Sequence, residues 1–425
     1  MSKISKVKAL QVFDSRGIPT ISCTITLENG TSASAMVPSG ASTGSKEALE
    51  LRDNDIPYNG KGVLKAVNNI NNELSNLIIN QDPNDQIGID RILIGHDATN
   101  DKSKYGANAI LAISLAASHV AAKNKNINLY EQFSYIYEQV SNKKASFSVP
   151  IPMFNILNGG EHANNNIDIQ EFMIVPKGAS DFKQIMQWST EIYHNLKIIL
   201  TKKSFSTAVG DEGGFAPNLK SNEEAIKLII ESIIASNLEP GKDITLALDC
   251  AASEFHNEGI YTLKGENKNL DSVDFIEYLD KLVERYPITS IEDALDENDL
   301  DGWKLLTNKL GKKCHLVGDD LFVTNKKVLQ EGIDSSIANA ILIKFNQVGT
   351  ITETIETIHC ANENNYKSII SHRSGETEDT SIADLAVGLN IGQIKTGAPC
   401  RSDRMAKYNR LLHIEHQDNN IMLYE

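Results

Sequence analysis

The stretch NAILIKFNQVG, residues 339–349, places a lysine directly after a short apolar run. Residues 340–343 are all aliphatic and predict a buried β-strand, so Lys344 is expected at the C-terminal end of that strand. Lysine is rarely buried unless a partner neutralises it. Five other apolar runs in the second half of the chain also end in a polar side chain, namely Asp249, Glu292, Asp319, His372 and Lys395.

The spacing of these six runs indicates the fold. After a first interval of about 43 residues they follow one another at intervals of about 25 residues, with helix-like segments such as 272–286 and 381–390 between them. Strand–helix units of this length are typical of a (β/α)8 barrel, whose active site forms at the C-terminal strand ends. We therefore predict that the six side chains share one mouth of a barrel. A single polar residue after a strand is, by itself, usually only the start of a solvated loop.

The first third of the chain has a different pattern. Residues 20–30, TISCTITLENG, alternate in polarity and end in an Asn-Gly turn, which predicts antiparallel strands, whereas residues 62–79 predict an amphipathic helix. The predicted organisation is an N-terminal α+β capping domain over residues 1–135, a linker over 136–148, and the barrel with the active site over 149–425.

Composition narrows the class of protein. The chain has 425 residues and a formal net charge of −15, which disfavours a general nucleic-acid binder or an anionic-membrane binder. Its five cysteines contain no C-x-x-C pair, so buried thiols in a reducing compartment are expected. No signal peptide is predicted, and the uncharged residues 105–122 are too few for a membrane span and predict a buried helix. We expect a cytoplasmic protein.

Three of the polar strand ends could bind a metal. Asp249, Glu292 and Asp319 offer oxygen ligands from successive predicted strands, and oxygen ligands favour a hard cation such as Mg²⁺. Two alternatives stay open at this point. Each carboxylate could instead pair with a nearby cation or cap a helix, and Asp320 could take the place of Asp319.

Lys344 is a candidate general base. Its ordinary pKa of about 10.4 would have to fall by roughly 3 units before the amine could accept a proton near neutrality. Divalent metals and Lys395 would supply the positive charge that such a change needs. The alternative is that Lys344 forms an ion pair with one of the carboxylates.

Ten motifs connect this pattern to a family. Residues 371–397, SHRSGETEDTSIADLAVGLNIGQIKTG, are the most distinctive; the others are DSRGIPT, PSGASTGSKEALELRD, NGGEHANN, DIQEFMIVP, GDEGGFAPN, LALDCAASEF, SIEDALDENDLDGW, GDDLFVTN and ILIKFNQVGT. Together, and in the order in which they occur along the chain, they resemble enolase of the bacterial type, over essentially the whole chain. A lysine base that acts with one or two Mg²⁺ ions on an ene-diolate is the known arrangement of the enolase superfamily.

The resemblance implies a hydro-lyase that reversibly dehydrates 2-phospho-D-glycerate to phosphoenolpyruvate in glycolysis and gluconeogenesis. It also implies a barrel that starts β-β-α-α, which the spacing did not reveal. By position, Lys344 would remove the proton at C2 and Glu212 would protonate the hydroxyl that leaves C3. Glu171 would assist Glu212, with Gln170 beside it, and His162 would lie on a loop over the substrate.

The remaining site residues also follow from the resemblance. Substrate contacts would come from Gln170, His372, Arg373, Ser374 and Lys395. Two Mg²⁺ ions would bind at each active site, the first held by Asp249, Glu292 and Asp319. Ser42, in the small-residue stretch SGASTG, would join the second ion when its loop closes.

The chain also departs from the usual family pattern. Ile18 replaces a common Asn, residues 398–400 are Ala-Pro-Cys, and residues 413–417 read HIEHQ. The family implies a homodimer, or an octamer of four dimers. Two other functions compete with the main one. The first is an enolase paralogue that acts on a phosphonate analogue; the second is a scaffold or surface-binding role, with a cell-surface or secreted pool.

Overall fold

The computed structural model describes residues 2–40, 44–418 and 420–424. The first part of the chain forms an antiparallel sheet of three neighbouring strands, β1 (Ile4–Phe13), β2 (Pro19–Leu27) and β3 (Ser32–Met36). The predicted Asn-Gly turn joins β2 to β3, and Gly30 has a positive φ of 86°, a conformation that glycine adopts without steric cost. The alternating polarity of β2 gives it an alternation of buried and half-buried side chains.

Helices cover one face of this sheet. They are α1 (Leu64–Asn69), α2 (Ser75–Ile78), α3 (Gln86–Asp97), α4 (Ala107–Lys125) and α5 (Leu129–Ser141), with a π-helical turn between α1 and α2. The uncharged segment 105–122 lies almost entirely within α4, and its small side chains are buried against β2 and β3. The buried-helix prediction is therefore confirmed. Across the described ranges, no helix combines the length and apolarity that crossing a membrane requires.

The second part of the chain contains the remaining elements. In chain order they are β4 (Ile151–Asn158), β5 (Glu171–Val175), α6 (Phe182–Lys202), α7 (Asn222–Ala235), β6 (Thr245–Asp249), β7 (His256–Asn257), β8 (Ile260–Leu263), β9 (Lys268–Leu270), α8 (Ser272–Arg285), β10 (Ile288–Glu292), α9 (Leu300–Leu310), β11 (His315–Gly318), α10 (Lys326–Asp334), β12 (Ala340–Ile343), α11 (Phe345–Val348), α12 (Ile351–Glu363), β13 (Lys367–Ser371), α13 (Ser381–Gly388), β14 (Gln393–Lys395) and α14 (Ser402–Gln417). Strands β7 to β9 form a small separate sheet.

Eight strands close into a barrel in the order β4-β5-β6-β10-β11-β12-β13-β14. Strand β5 is antiparallel to both of its neighbours, whereas the other pairs are parallel. A loop without a crossover helix joins β4 to β5, which only an antiparallel pair allows, and α6 and α7 then precede β6. The barrel therefore starts β-β-α-α. Together with the N-terminal antiparallel sheet, it confirms the predicted fold class.

The interior of the barrel is a packed apolar core. It is filled by an apolar layer of Met153, Met173, Val175, Ala247, Val317, Ala340, Leu342 and Ile369.

Helix α5 extends to Ser141 and so includes the first part of the predicted linker. The domain limits at 135 and 149 stay a prediction.

The N-terminal part is fixed to the barrel by backbone contacts on both sides of residues 41–43. Ser39 and Gly375 exchange two backbone hydrogen bonds, of 2.8 and 2.9 Å, and Ala48 N donates to the carbonyl of Gln347 at 2.8 Å. The predicted metal ligand Ser42 lies outside the described residues. The segments that flank it are held against α11, which follows β12, and against the loop that follows β13.

Asp90 makes a second, fully buried connection between the two parts. From α3 it accepts hydrogen bonds from the backbone N (2.9 Å) and hydroxyl (2.6 Å) of Thr352, at the start of α12, and from Gln86 Nε2 (3.0 Å). A helix N-terminus stabilises a carboxylate. Burial nevertheless has the larger effect and raises the pKa of Asp90 to about 6.

This shift makes one contribution to stability dependent on pH. Because the folded-state pKa is raised, the contribution is fully present below the unfolded pKa of about 3.9 and is lost as the pH rises through 6. Relative to the variant Asp90→Asn, the wild type should lose about 1 kcal/mol of unfolding free energy between pH 5 and pH 7.5. Urea unfolding of both proteins across this range measures the difference. A difference that does not change with pH would show that Asp90 is ionised throughout.

Candidate active site

The polar strand ends meet at one mouth of the barrel. Asp249 and Glu292 are the last residues of β6 and β10, and the two are paired in register. Lys395 ends β14, while Asp319, Lys344 and His372 directly follow β11, β12 and β13. Because β5 runs in the opposite direction, its first residue, Glu171, lies at this same mouth and is paired in register with Asp249.

One cavity at this mouth brings together nearly all of the predicted site residues. Its walls are formed by Glu47, His162, Gln170, Glu171, Glu212, Asp249, Ala251, Glu254, Asp293, Asp319, Asp320, Lys344, Ser371, His372, Arg373, Ser374 and Lys395. Glu292 is buried next to it, in contact with Lys395. Of the predicted set, Ser42 alone lies outside the described residues.

Lys395 lies among three carboxylates. Its Nζ is 2.9 Å from Asp249 Oδ2, 2.9 Å from Glu292 Oε1 and 3.1 Å from Glu171 Oε2. Burial lowers the pKa of Lys395, but these carboxylates outweigh burial and raise it well above its ordinary value. Lys395 therefore stays positively charged near neutrality, among the carboxylates of the cavity.

Lys344 forms an ion pair with Asp319 Oδ2, and Asp319 Oδ1 accepts a hydrogen bond from Gln347 Nε2 at 2.9 Å. Burial lowers the pKa of Lys344, but Asp319 outweighs burial and raises it above its ordinary value. The ion pair that the sequence left open as an alternative is thus formed. The lowered pKa that a base requires is not a property of the protein side chains alone.

A second group of side chains surrounds Glu212. Its Oε2 accepts a hydrogen bond from Asn155 Nδ2 at 3.1 Å and lies 3.2 Å from His372 Nε2. His162 Nδ1 lies 3.3 Å from Glu171 Oε1 and 3.9 Å from Glu212 Oε1. His162 therefore lies between the two carboxyl groups.

The proton affinities in this group differ. Burial raises the pKa of Glu171 to about 7, and Glu212 acts in the same direction. Burial lowers the pKa of His162, but Glu212 and Glu171 outweigh burial and raise it to about 9. For Glu212, burial is opposed and outweighed by His372 and His162, so its pKa is lowered. Near neutrality Glu171 is therefore protonated in about half of the molecules, whereas Glu212 is ionised, so a proton in this pair binds Glu171 more tightly.

The carboxylates at the mouth fit a divalent cation. Burial raises the pKa of Glu292 and of Asp293 well above the ordinary range, and neighbouring carboxylates add to the effect. Burial and Asp319 raise the pKa of Asp320 to about 7. Buried oxygen ligands that repel one another in this way suit a hard cation, which would relieve the repulsion.

The grouping of these oxygens differs from the expected ligand set. Within the described ranges, two sets of three side chains each offer ligand atoms within 4.8 Å of one another: His162, Glu171 and Glu212, and Asp293, Asp319 and Asp320. Asp249, Glu292 and Asp319 do not form such a compact set, because Lys395 lies between the first two and Lys344 contacts the third. Asp320, which the sequence left as a substitute for Asp319, lies beside it.

The predicted phosphate-binding residues lie on the loop after β13. Arg373 Nη1 is 3.0 Å from Glu47 Oε2, and Ser374 is buried beside it. Gln170 Nε2 lies 3.4 Å from Asp249 Oδ2. An anion that bound Arg373 would have to share the guanidinium with Glu47.

Several residues of the site were not predicted. Asp293 directly follows a predicted ligand in the sequence, so acidic pairs at strand ends were an available signal for it. Glu47 lies within the motif PSGASTGSKEALELRD, but nothing in the sequence connects it to Arg373. Asn155 looks like an ordinary strand residue, and Arg404 like an ordinary residue of α14.

A closed barrel with lysines, paired carboxyl groups and clustered carboxylates at its C-terminal mouth defines a barrel enzyme with an acid–base site that fits a metal. The chain matches the family models of the enolase N-terminal domain over residues 4–133 and of the enolase C-terminal TIM barrel domain over residues 146–425. It therefore belongs to the enolase family. Membership indicates a lyase-type enzyme that acts on a small molecule and uses a divalent metal.

Proposed function

We propose that the protein catalyses the reversible, Mg²⁺-dependent dehydration of 2-phospho-D-glycerate to phosphoenolpyruvate, as a step of glycolysis and gluconeogenesis. One observation carries the proposal: a single buried cavity holds a lysine and a pair of carboxyl groups on different walls. Lys344 follows β12, whereas Glu212 contacts β4 and the end of β13. A base and an acid that act at adjacent carbons are what a stepwise β-elimination requires.

The chain's own residues would divide the reaction as follows. Lys344 removes the proton from C2, and Glu212 donates a proton to the hydroxyl that leaves C3. The electron pair of the broken C2–H bond becomes the second bond between C2 and C3, and water departs. Glu171, which binds a proton more tightly than Glu212, supplies the proton that the pair shares. His162 holds the two carboxyl groups in place from the loop above them.

Asp249, Glu292 and Asp319 would hold the first of two Mg²⁺ ions, and Ser42 would join the second. When bound, the ions would supply positive charge that offsets Asp319 beside Lys344 and stabilises the negative charge on the substrate carboxylate. Arg373 and Ser374 would bind the phosphate, Arg373 by charge-assisted hydrogen bonds. Gln170, His372 and Lys395 would complete the substrate contacts.

The absorbance of the enol product in the ultraviolet tests this proposal directly. Purified protein with 2-phosphoglycerate and Mg²⁺ should form product, and EDTA should reduce the rate to background. Addition of Mg²⁺ in excess of EDTA should restore it. No product from folded, Mg²⁺-supplied protein would refute the proposed substrate, and phosphonate analogues would be tested next.

We also propose a cytoplasmic homodimer. Phe13 and Tyr58 are 53% and 47% exposed, and their rings pack edge to face with centroids 5.9 Å apart. Ile56, two residues before Tyr58 in the chain, is 93% exposed. Apolar side chains grouped at a surface favour contact with another copy. The five cysteines are all unpaired, which supports a reducing compartment. Light scattering during size-exclusion chromatography should give twice the chain mass; a mass of one chain would refute the dimer, and eight would indicate the octamer.

A further inference from the structure

Arg404, which is fully buried in α14, contacts four groups on the side of the cavity where Glu212 lies. Its Nη1 donates to His372 Nδ1 and to the carbonyl of Arg373 (2.7 Å), and its Nη2 donates to the carbonyls of Ser374 (2.7 Å) and Asp211 (3.2 Å). A guanidinium has donors only. His372 Nδ1 must therefore accept, and the single proton of a neutral imidazole must be on Nε2.

The imidazole of His372 is neutral. Burial lowers its pKa to about 3 and outweighs Glu212, which raises it, and the charge of Arg404 acts in the same direction as burial. Its Nε2 lies 3.2 Å from Glu212 Oε2. The Nε2 proton is thus the one that faces the carboxyl group of Glu212.

Asn155 supplies a second donor to that same oxygen. It is fully buried in β4, and its Nδ2 donates to Glu212 Oε2 at 3.1 Å. Its Oδ1 has no hydrogen-bond partner in the part of the chain that the structure describes. Rotating the amide by 180° would place Oδ1 against the carboxylate oxygen, acceptor against acceptor, so the observed orientation is the stable one.

We infer that Arg404, His372 and Asn155 restrict the transferable proton of Glu212 to Oε1. The inference rests on the proposed function, in which Glu212 is the general acid. Asn155 Nδ2 donates to Oε2, and the Nε2 proton of His372 faces the same oxygen at 3.2 Å, so a proton on Oε2 would meet both groups head-on. Oε1 faces His162 Nδ1 at the longer distance of 3.9 Å.

The proton then has one route. It leaves Oε1 for the hydroxyl oxygen on C3, and the electron pair of the breaking C3–O bond departs with the water that forms. Glu212 is left as a carboxylate whose Oε2 keeps the hydrogen bond from Asn155 and still faces the Nε2 proton of His372. Arg404 and Asn155 touch no reacting atom in this step and are positioning residues.

Neutron diffraction from deuterated crystals of the unmutated protein tests the tautomer without relying on activity. The expected result is deuterium on His372 Nε2, facing Glu212, and none on Nδ1. Deuterium on Nδ1 would overturn the inference. This result does not depend on the substrate, so a failure of the proposed dehydration reaction would be recognised separately.

The variant Asn155→Leu tests the consequence for the acid step. Loss of one hydrogen bond to a charged group should lower the dehydration rate on the order of 10- to 100-fold. Exchange of the C2 proton with D₂O, in which Lys344 is the base and Glu212 takes no part, should be unchanged. An equal loss of exchange and dehydration would overturn the positioning role; if the variant does not fold, the neutron result decides.

Asn339→Leu is the matched control. Asn339 precedes β12, at the opposite end of the barrel strands, and its Nδ2 donates to the carbonyls of Gly311 (2.9 Å) and Cys314 (3.2 Å). The variant makes the same Asn-to-Leu change but removes hydrogen bonds to backbone groups only, including the one that Asn339 Oδ1 accepts from Leu316 N at 2.8 Å. It should lower the melting temperature without changing the ratio of exchange to dehydration.

Discussion

The variant Lys344→Ala should lose both C2 proton exchange and dehydration, each by about 10³-fold or more. Two lysines line the cavity. Lys395 is surrounded by three carboxylates, whereas Lys344 lies apart from them and is paired with Asp319. If it removes the C2 proton, no later step can proceed without it. NMR measures exchange as loss of the C2 proton signal of 2-phosphoglycerate in D₂O, and the ultraviolet assay measures dehydration.

The control for this variant is Lys327→Ala, since Lys327 is exposed on α10. It should keep both rates. Removing Lys344 also leaves Asp319 without its cation, so the variant should be less stable than the wild type in EDTA and recover part of the difference in Mg²⁺. Exchange at the wild-type rate in folded Lys344→Ala would assign the base to another residue.

The barrel could be predicted from the sequence because its signal is local. An aliphatic run that ends in a charged residue, such as residues 340–344, indicates that the segment is a strand and shows where the strand ends. The repetition of such runs at a regular interval then indicates the barrel. The reversed strand β5 could not be found in this way. Glu171 begins that strand instead of ending it, so only the family motif identified it as a site residue.

The candidate site was predictable to the extent that each side chain lies at a strand end. Asp249 and Glu292 lie at strand ends, as the sequence predicted, but the ammonium group between them comes from Lys395, 103 residues after Glu292 and 146 after Asp249. The contacts of Glu47 with Arg373 and of Arg404 with His372 likewise join segments that only the folded chain brings together. Spacing along one strand carries no information about such contacts.

The charges around Lys344 explain why its position in the sequence did not reveal whether its pKa is raised or lowered. The sequence predicted that positive charge would lower its pKa, and Lys395 does act in that direction. Asp319 contacts Lys344 directly and has the larger, opposite effect. Whether Lys395 or Asp319 has the larger effect depends on distances of a few ångströms. These distances follow from the register of β11 and β12.

The acid variant should separate the two halves of the reaction. In Glu212→Gln, dehydration should fall by about 10³-fold, because an amide of the same size cannot protonate the hydroxyl that leaves C3. C2 proton exchange should continue, since Lys344 is unchanged and removal of the proton is reversible. Asn155 can still donate to the carbonyl oxygen of the glutamine, so the side chain should keep its position.

The same two measurements test this expectation, with Glu258→Gln, on the exposed turn between β7 and β8, as the control that keeps both rates. Rapid exchange without product is a result that a general loss of folding or of substrate binding could not give. If exchange falls as far as dehydration in a folded Glu212→Gln protein, then Glu212 acts before or together with Lys344. Glu171, the neighbouring carboxyl group whose pKa is raised to about 7, would then be the next candidate for the acid.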